Sequence, residues 1–276
     1  MRKFKLINAE GQEFDLMRKD AFFFSPSGLG YEMQFDTTPA GYDFIELDSE
    51  MLQKTVSGSV VFAGYEQYEE FALFVSKEPL QLAYQPLEEW RYINCKIARL
   101  TKGEKESGSH RLISDVDFLC LSTWYESLKV VNTEVDPGIG KTYSYHYPYS
   151  YTDQAVKNIR VDITGSIPSY CRLNIIGPCL NPSWALTQGK EVLIRGKVFA
   201  EIIEGHKLVV DSSPARLEIA EYTKEGSFVQ NLYQKSDFST SRFVILPVGK
   251  STLNFSHDRN EIIEAYLEVE QLARTV

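Results

Sequence analysis

The sequence predicts a mainly β protein of two domains. The first, residues 1–126, reads as a β-sandwich or split-barrel-like domain with one α-helix and a protruding β-hairpin; the second, residues 127–276, reads as a β-sandwich. Three observations carry this. A chain of 276 residues makes about two domains of ordinary size. Short runs of alternating apolar and polar residues, punctuated by Gly, Pro, Asn and Asp, recur along most of it. One early segment, Tyr65 to Ser76, instead has apolar residues three and four apart, with Glu66, Glu69 and Glu70 on the other side, as an amphipathic helix requires.

In chain order, Lys3 to Asn8 alternates, Ala9-Glu10-Gly11 turns, and Phe14 to Leu16 returns, which makes an opening hairpin. Ser25 to Gly30 (SPSGLG) is loop chemistry, because Pro26 fixes φ while Gly28 and Gly30 permit positive φ. Tyr31 to Phe35 and Asp43 to Leu47 flank a turn containing Pro39 and Gly41, the signature of a second, protruding hairpin. Thr55 to Phe62 is a strand, and Pro79 ends the helix after it. Leu80 to Tyr84, Trp90 to Leu100 and Leu112 to Leu121 are further strands, with a polar loop over Thr101 to His110.

From about Ser127 the pattern is almost purely β. Strands are expected over Lys141 to Tyr151, Ile159 to Ile163, Arg172 to Ile176, Val192 to Val198, Leu208 to Asp211, Arg242 to Pro247 and Ser251 to Phe255. Ile262 to Val269 reads as a last strand. Short strands with turn signals at this spacing predict a sandwich.

Composition narrows the function classes. Hydrophobic residues at 43% and charged residues at 24% fit a folded protein and argue against disorder. A net charge of −9 without a dense basic run disfavours sequence-specific nucleic-acid binding. No run approaches 18 apolar residues, so no membrane span is expected. Cys95, Cys120, Cys171 and Cys179 lack metal-ligand spacing; Cys95 and Cys120 sit in apolar strand-like runs and read as buried reduced thiols, consistent with synthesis in a reducing compartment. No cofactor or metal is expected.

Gly138 to Thr142 (GIGKT) resembles the end of a phosphate-binding loop. Val135 stands where the motif needs its first Gly, however, and a strand rather than a helix follows. Tyr143, Tyr145, Tyr147, Tyr149 and Tyr151 share one side of that strand, and Pro148, lacking an N–H, puts it at a sheet edge or interrupts its pairing. This ladder reads first as core or subunit contact, with a glycan-contacting or partner surface as the alternative. His110, His146, His206 and His257 are isolated, no G-x-S-x-G is present, and Asp115 with Asp117 reads as a solvent-facing pair. No catalytic residues emerge.

Particular strings go further. KLINAEGQEFDL (Lys5 to Leu16), SPSGLGYEM (Ser25 to Met33), QKTVSGSVVFAGYEQYEEF (Gln53 to Phe71) and DFLCLSTWYE (Asp117 to Glu126) resemble the N-terminal domain of siphophage distal tail proteins from phages and prophages of Gram-positive bacteria. YPYSY, Tyr170 to Leu186 and Ile245 to Ser256 resemble that family's C-terminal galectin-like β-sandwich. The resemblance implies a structural virion protein and not an enzyme. It implies a homo-oligomer, a hexameric ring at the tail tip made in the host cytoplasm, that joins the tail tube protein to the baseplate and to a fibre, lysin or receptor-binding protein. It places the subunit-contact hairpin at Tyr31, Met33, Phe35, Phe44, Ile45 and Leu47. DNA would pass through such a ring without specific binding. A carbohydrate-binding module touching host cell-wall glycans through the C-terminal sandwich is the alternative function.

Overall fold

Hydrophobic alternation along the chain becomes, in a computed structural model, two separately packed cores. The structure describes residues 2–104, 111–131, 134–135, 157–259 and 264–276. Two compact units result, residues 1–126 with 273–276, and residues 127–272. The fold is mainly β, with one α-helix among the described residues.

The first unit holds β1 (Lys3–Ile7), β2 (Glu13–Asp15), β3 (Ala21–Ser27), β4 (Met33–Ala40), β5 (Asp43–Met51) and β6 (Thr55–Phe62). After these come α1 (Tyr65–Val75), β7 (Leu80–Gln85), β8 (Arg91–Leu100), β9 (Leu112–Cys120) and the start of β10 (Trp124–Val131). The main sheet runs β2-β1-β7-β8-β9-β6-β3, all antiparallel. Met17, two residues past β2, meets Phe22 of β3 at a single isolated bridge, and no ladder joins β2 to β3, so among the described residues the sheet is open rather than a closed barrel. β4 and β5 pair with each other as a separate two-stranded ribbon.

Alternation decides which face is core. In β9, Leu112, Val116, Phe118 and Cys120 point inward and are buried, while Ile113 and Asp115 are exposed. The helix buries Tyr68, Phe71 and Val75 at the spacing the sequence shows. Phe71 sits 5.2 Å from Phe14 and 5.4 Å from Phe62, ring centre to ring centre. Aromatic rings filling a sheet-helix interface bury large apolar areas, and this is the main stabilising term of the unit.

The second unit holds the rest of β10, then β11 (Glu134–Val135), β12 (Lys157–Ile163), β13 (Ser169–Ile176), β14 (Cys179–Leu180), β15 (Ser183–Gln188), β16 (Glu191–Lys197) and β17 (Glu201–Ile202). β18 (His206–Asp211), β19 (Glu218–Thr223), β20 (Phe228–Asn231), a 3-10 turn (Tyr233–Lys235), β21 (Ile245–Leu246), β22 (Gly249–Ser256) and β23 (Glu264–Ala273) complete it. One sheet is β11-β12-β22-β15-β16 and the other contains β23-β13-β18-β19-β20. Their inward residues, Ile159, Leu173, Trp184, Leu208, Leu253 and Leu267 among them, share one core. The Trp184 indole N–H donates to the Arg242 carbonyl at 3.1 Å. Gly196 lies against that indole, where an added Cβ would stand 2.4 Å from a ring carbon, so only Gly fits.

Several sequence readings change. The strand expected over Arg242 to Pro247 shrinks to Ile245–Leu246: Pro247 has no N–H to continue it, and ahead of it the Arg242 carbonyl accepts from the Trp184 indole and the Val244 carbonyl from the Cys171 thiol. Ala21–Ser27, Ser183–Gln188, Glu218–Thr223 and Phe228–Asn231 form strands that the alternation did not single out. The expected final strand is present from Glu264 and runs on to Ala273, while Ile262 and Ile263 lie outside the described residues. The strand expected over Lys141 to Tyr151 lies outside the described residues.

Candidate functional site

The β4–β5 ribbon is the feature the core does not explain. Its register runs from Met33 opposite Met51 to Ala40 opposite Asp43, with a bulge after Asp36. Nearly every residue of both strands is exposed. At about 3.4 Å per residue, eight residues carry the tip roughly 25 Å from the root. A lone two-stranded hairpin is marginal in water, so such a ribbon is best stabilised by a surface to lie on.

The root is held firmly. Leu52 N–H donates to the Glu32 carbonyl at 3.0 Å, and the Trp124 indole N–H donates to the Leu29 carbonyl at 3.2 Å. The Lys54 ammonium donates to the Gly30 carbonyl at 3.1 Å and lies 5.4 Å from the Trp124 ring centre. Burial pulls the Lys54 pKa below the ordinary lysine value. Gly28 has φ of 76°, and a Cβ there would stand 2.0 Å from the Thr55 carbonyl oxygen. Ser25 to Ser27, expected as loop, instead end β3, and the turn that follows needs glycine at position 28 for both reasons.

The structure brings Met33, Phe35, Phe44, Ile45 and Leu47 together on this ribbon. Phe35, Phe44, Ile45 and Leu47 are exposed, whereas Met33 is half-buried at the root. Tyr31 precedes β4, with the Arg274 guanidinium 5.6 Å from its ring centre. Tyr42, fully exposed at the tip, was passed over because it sits in the turn between the two apolar runs. The ribbon is also one-signed. From Tyr31 to Gln53 it carries Glu32, Asp36, Asp43, Glu46, Asp48 and Glu50, and no Lys or Arg.

Other candidates fall elsewhere. Tyr143, Tyr145, Tyr147, Tyr149 and Tyr151, the GIGKT segment, His110 and His146 lie outside the described residues. His206 Nδ1 is 2.6 Å from Glu221 Oε1, and Gln230 donates to the other oxygen of that buried carboxylate at 2.6 Å. The pair is a satisfied structural contact. Asp115 accepts from Ser59 at 3.0 Å and pairs with Arg99 at 3.6 Å. All four thiols are buried and free, and burial pushes Cys95, Cys171 and Cys179 up to about 12. Among the described residues, no group of three or more His, Cys, Asp or Glu is placed to hold a metal ion. Among them, too, no helix is long and apolar enough to cross a membrane.

Comparison with known proteins agrees with the resemblance read from the sequence. Residues 3–121 match the family model described as distal tail protein, N-terminal domain. No curated protein sequence matches the chain. Among solved structures, the chain is similar to the phage P2 baseplate in its activated conformation with Ca, at 16% identity and a TM-score of 0.66, covering 100% of both chains. The same baseplate with Sr gives 17% identity and a TM-score of 0.66, again covering 100% of both. The SPP1 Dit protein, titled a paradigm of hub adsorption apparatus in Gram-positive infecting phages, gives 10% identity and a TM-score of 0.65, covering 97% of this chain and 98% of that one. At such identities these structures establish a shared fold for the whole chain. Over residues 3–121, a little under half of the chain, the sequence is similar to the N-terminal domain of the distal tail proteins.

Proposed function

We propose that this chain is a structural component of the phage tail tip, a distal tail hub whose copies close into a hexameric ring joining the tail tube to the baseplate and its fibre, lysin or receptor-binding proteins. The match of residues 3–121 to the distal tail family carries the reading. Physical support comes from the ribbon: an exposed apolar hairpin on a firmly held root is a connector awaiting a neighbouring chain. Repeating one such head-to-tail contact around an axis generates a closed ring. On this reading residues 1–126 build the ring, and the protein is made in the bacterial host cytoplasm before joining the virion. Its work is assembly rather than catalysis.

Gold-labelled antibody against the chain, applied to intact tail particles, is expected to mark the tip. Label along the tube, or on free protein alone, would overturn the proposal.

A second reading, a host-glycan contact by the second unit, is favoured by one observation. Tyr233 and Phe238 are exposed, their rings edge to face at 5.5 Å, with the Arg242 guanidinium 4.3 Å from the Phe238 ring centre. Exposed rings of this kind offer stacking surfaces to sugars. Saturable binding to cell-wall polysaccharide, lost in Phe238→Ala, is its expected result; no saturable binding would remove it.

A further inference from the structure

Cys95 of β8 and Cys120 of β9 face each other directly across the ladder that joins these two strands. Both point into the core of the first unit, Cys95 wholly buried and Cys120 nearly so. Their backbone hydrogen bonds fix what kind of pair they are. Leu121 N–H donates to the Asn94 carbonyl at 2.7 Å, one residue beyond the pair on each strand. Cys120 N–H turns the other way and donates to the Lys54 carbonyl at 3.0 Å. The two cysteines are therefore a non-hydrogen-bonded pair, the kind whose Cα atoms stand about 4.5 Å apart with their side chains closest together. A disulfide spans Cα separations of about 4.4–6.8 Å, so the backbone here already lies within its reach. Cys171 and Cys179 face Val269 and Ile202 across their ladders, not a thiol.

We propose that Cys95 and Cys120 are a site of oxidative modification, joined as a disulfide once the protein leaves the reducing compartment in which it is made. The change of compartment rests on the tail-tip reading; the facing of the two thiols does not. The oxidant is a small-molecule disulfide. The Cys120 thiolate attacks one of its sulfurs, forming a mixed disulfide and expelling one thiolate; the Cys95 thiolate then attacks the Cys120 sulfur and expels the second. The chain gives up two protons and two electrons, and the oxidant is reduced to two thiols. Access makes Cys120 the first to react. It is the last residue of β9, it lines a surface groove of about 380 Å³, and Leu121 beside it is exposed. Burial raises both thiol pKa values, Cys95 to about 12 with Cys120 adding to the rise, and Lys54 opposes the rise at Cys120. Closure is accordingly slow, and the bond, once made, ties β8 to β9 across a loop of about 25 residues.

The test incubates the full purified chain, first reduced, with oxidised glutathione at mildly alkaline pH. Intact mass is expected to fall by two hydrogens, the thiol count after denaturation to fall from four to two, and a peptide map to join Cys95 to Cys120. Cys95→Ser is expected to stop at one glutathione held on Cys120. A melting temperature higher by about 5 °C or more, reversed by dithiothreitol, is expected of the closed pair. In tail particles denatured with an alkylating reagent, Cys171 and Cys179 should be labelled, and Cys95 and Cys120 only after reduction. Four free thiols after prolonged oxidation, glutathione retained on the parent protein, a link through Cys171 or Cys179, or free thiols at 95 and 120 in tail particles would each overturn the proposal. None of these outcomes touches the ring-forming hub, which is read separately from the solution mass of the chain.

Discussion

Asp36 and Asp48 stand directly opposite each other in the β4–β5 ribbon, both exposed. Like charges at facing positions of an antiparallel pair destabilise it by about 0.2–1 kcal/mol. The free hairpin is therefore held below its attainable stability. Asp36→Lys replaces repulsion with attraction. Hydrogen exchange of the ribbon amides in the isolated chain is expected to slow about two- to fivefold. Unchanged exchange would show that the pair costs nothing.

The aromatic core of the first unit predicts a sharp contrast between two helix positions. Phe71 is wholly buried against Phe14 and Phe62, whereas Leu73, two residues on, is 67% exposed. Phe71→Ala should cost about 3–5 kcal/mol in denaturant unfolding. Leu73→Ala should stay within about 0.5 kcal/mol of the parent. Equal effects at the two positions would contradict the packing described.

Gly28 tests the root of the hairpin. With φ of 76° and the Thr55 carbonyl in the path of any Cβ, Gly28→Ala forces the backbone to move. A loss of more than about 1 kcal/mol is expected, read as a lower melting temperature. Gly11→Ala is the control, since it shares positive φ but meets nothing within 4 Å. Its cost should be the smaller of the two.

Asp211 tests the second unit through pH. Burial holds its pKa above the ordinary carboxylate value, with Ser213 N–H and the Arg216 guanidinium opposing that shift. A carboxyl whose folded pKa is raised favours the folded state most at low pH and loses that contribution as pH rises through the folded pKa. Parent and Asp211→Asn proteins should therefore be unfolded in urea at steps upward from about pH 4. The parent's stability relative to the variant is expected to fall as pH rises. A constant difference would mean that Asp211 titrates normally.

The legible parts of the fold were those with local causes. Gly41 announced the turn, whereas Pro39, expected in it, falls inside β4 opposite Phe44; the spacing of Tyr68, Phe71 and Val75 announced the helix. Glu218–Thr223 hid because Glu221 occupies a core position, made tolerable only by His206 and Gln230 from neighbouring strands. Ala21–Ser27 hid because three consecutive Phe show no alternation, although the structure buries Phe23 and leaves Phe22 exposed. At the candidate site the apolar residues of both strands were readable in advance. Tyr42 was not, since it lies in the turn, outside both apolar runs.

The most direct test of the ring-forming hub is the solution mass of the purified chain, by light scattering during size exclusion, with negative-stain images of the same peak. The account predicts a ring-shaped particle of six chains, either alone or on mixing with tail tube protein. A chain that stays monomeric under both conditions and never joins tail particles would contradict it.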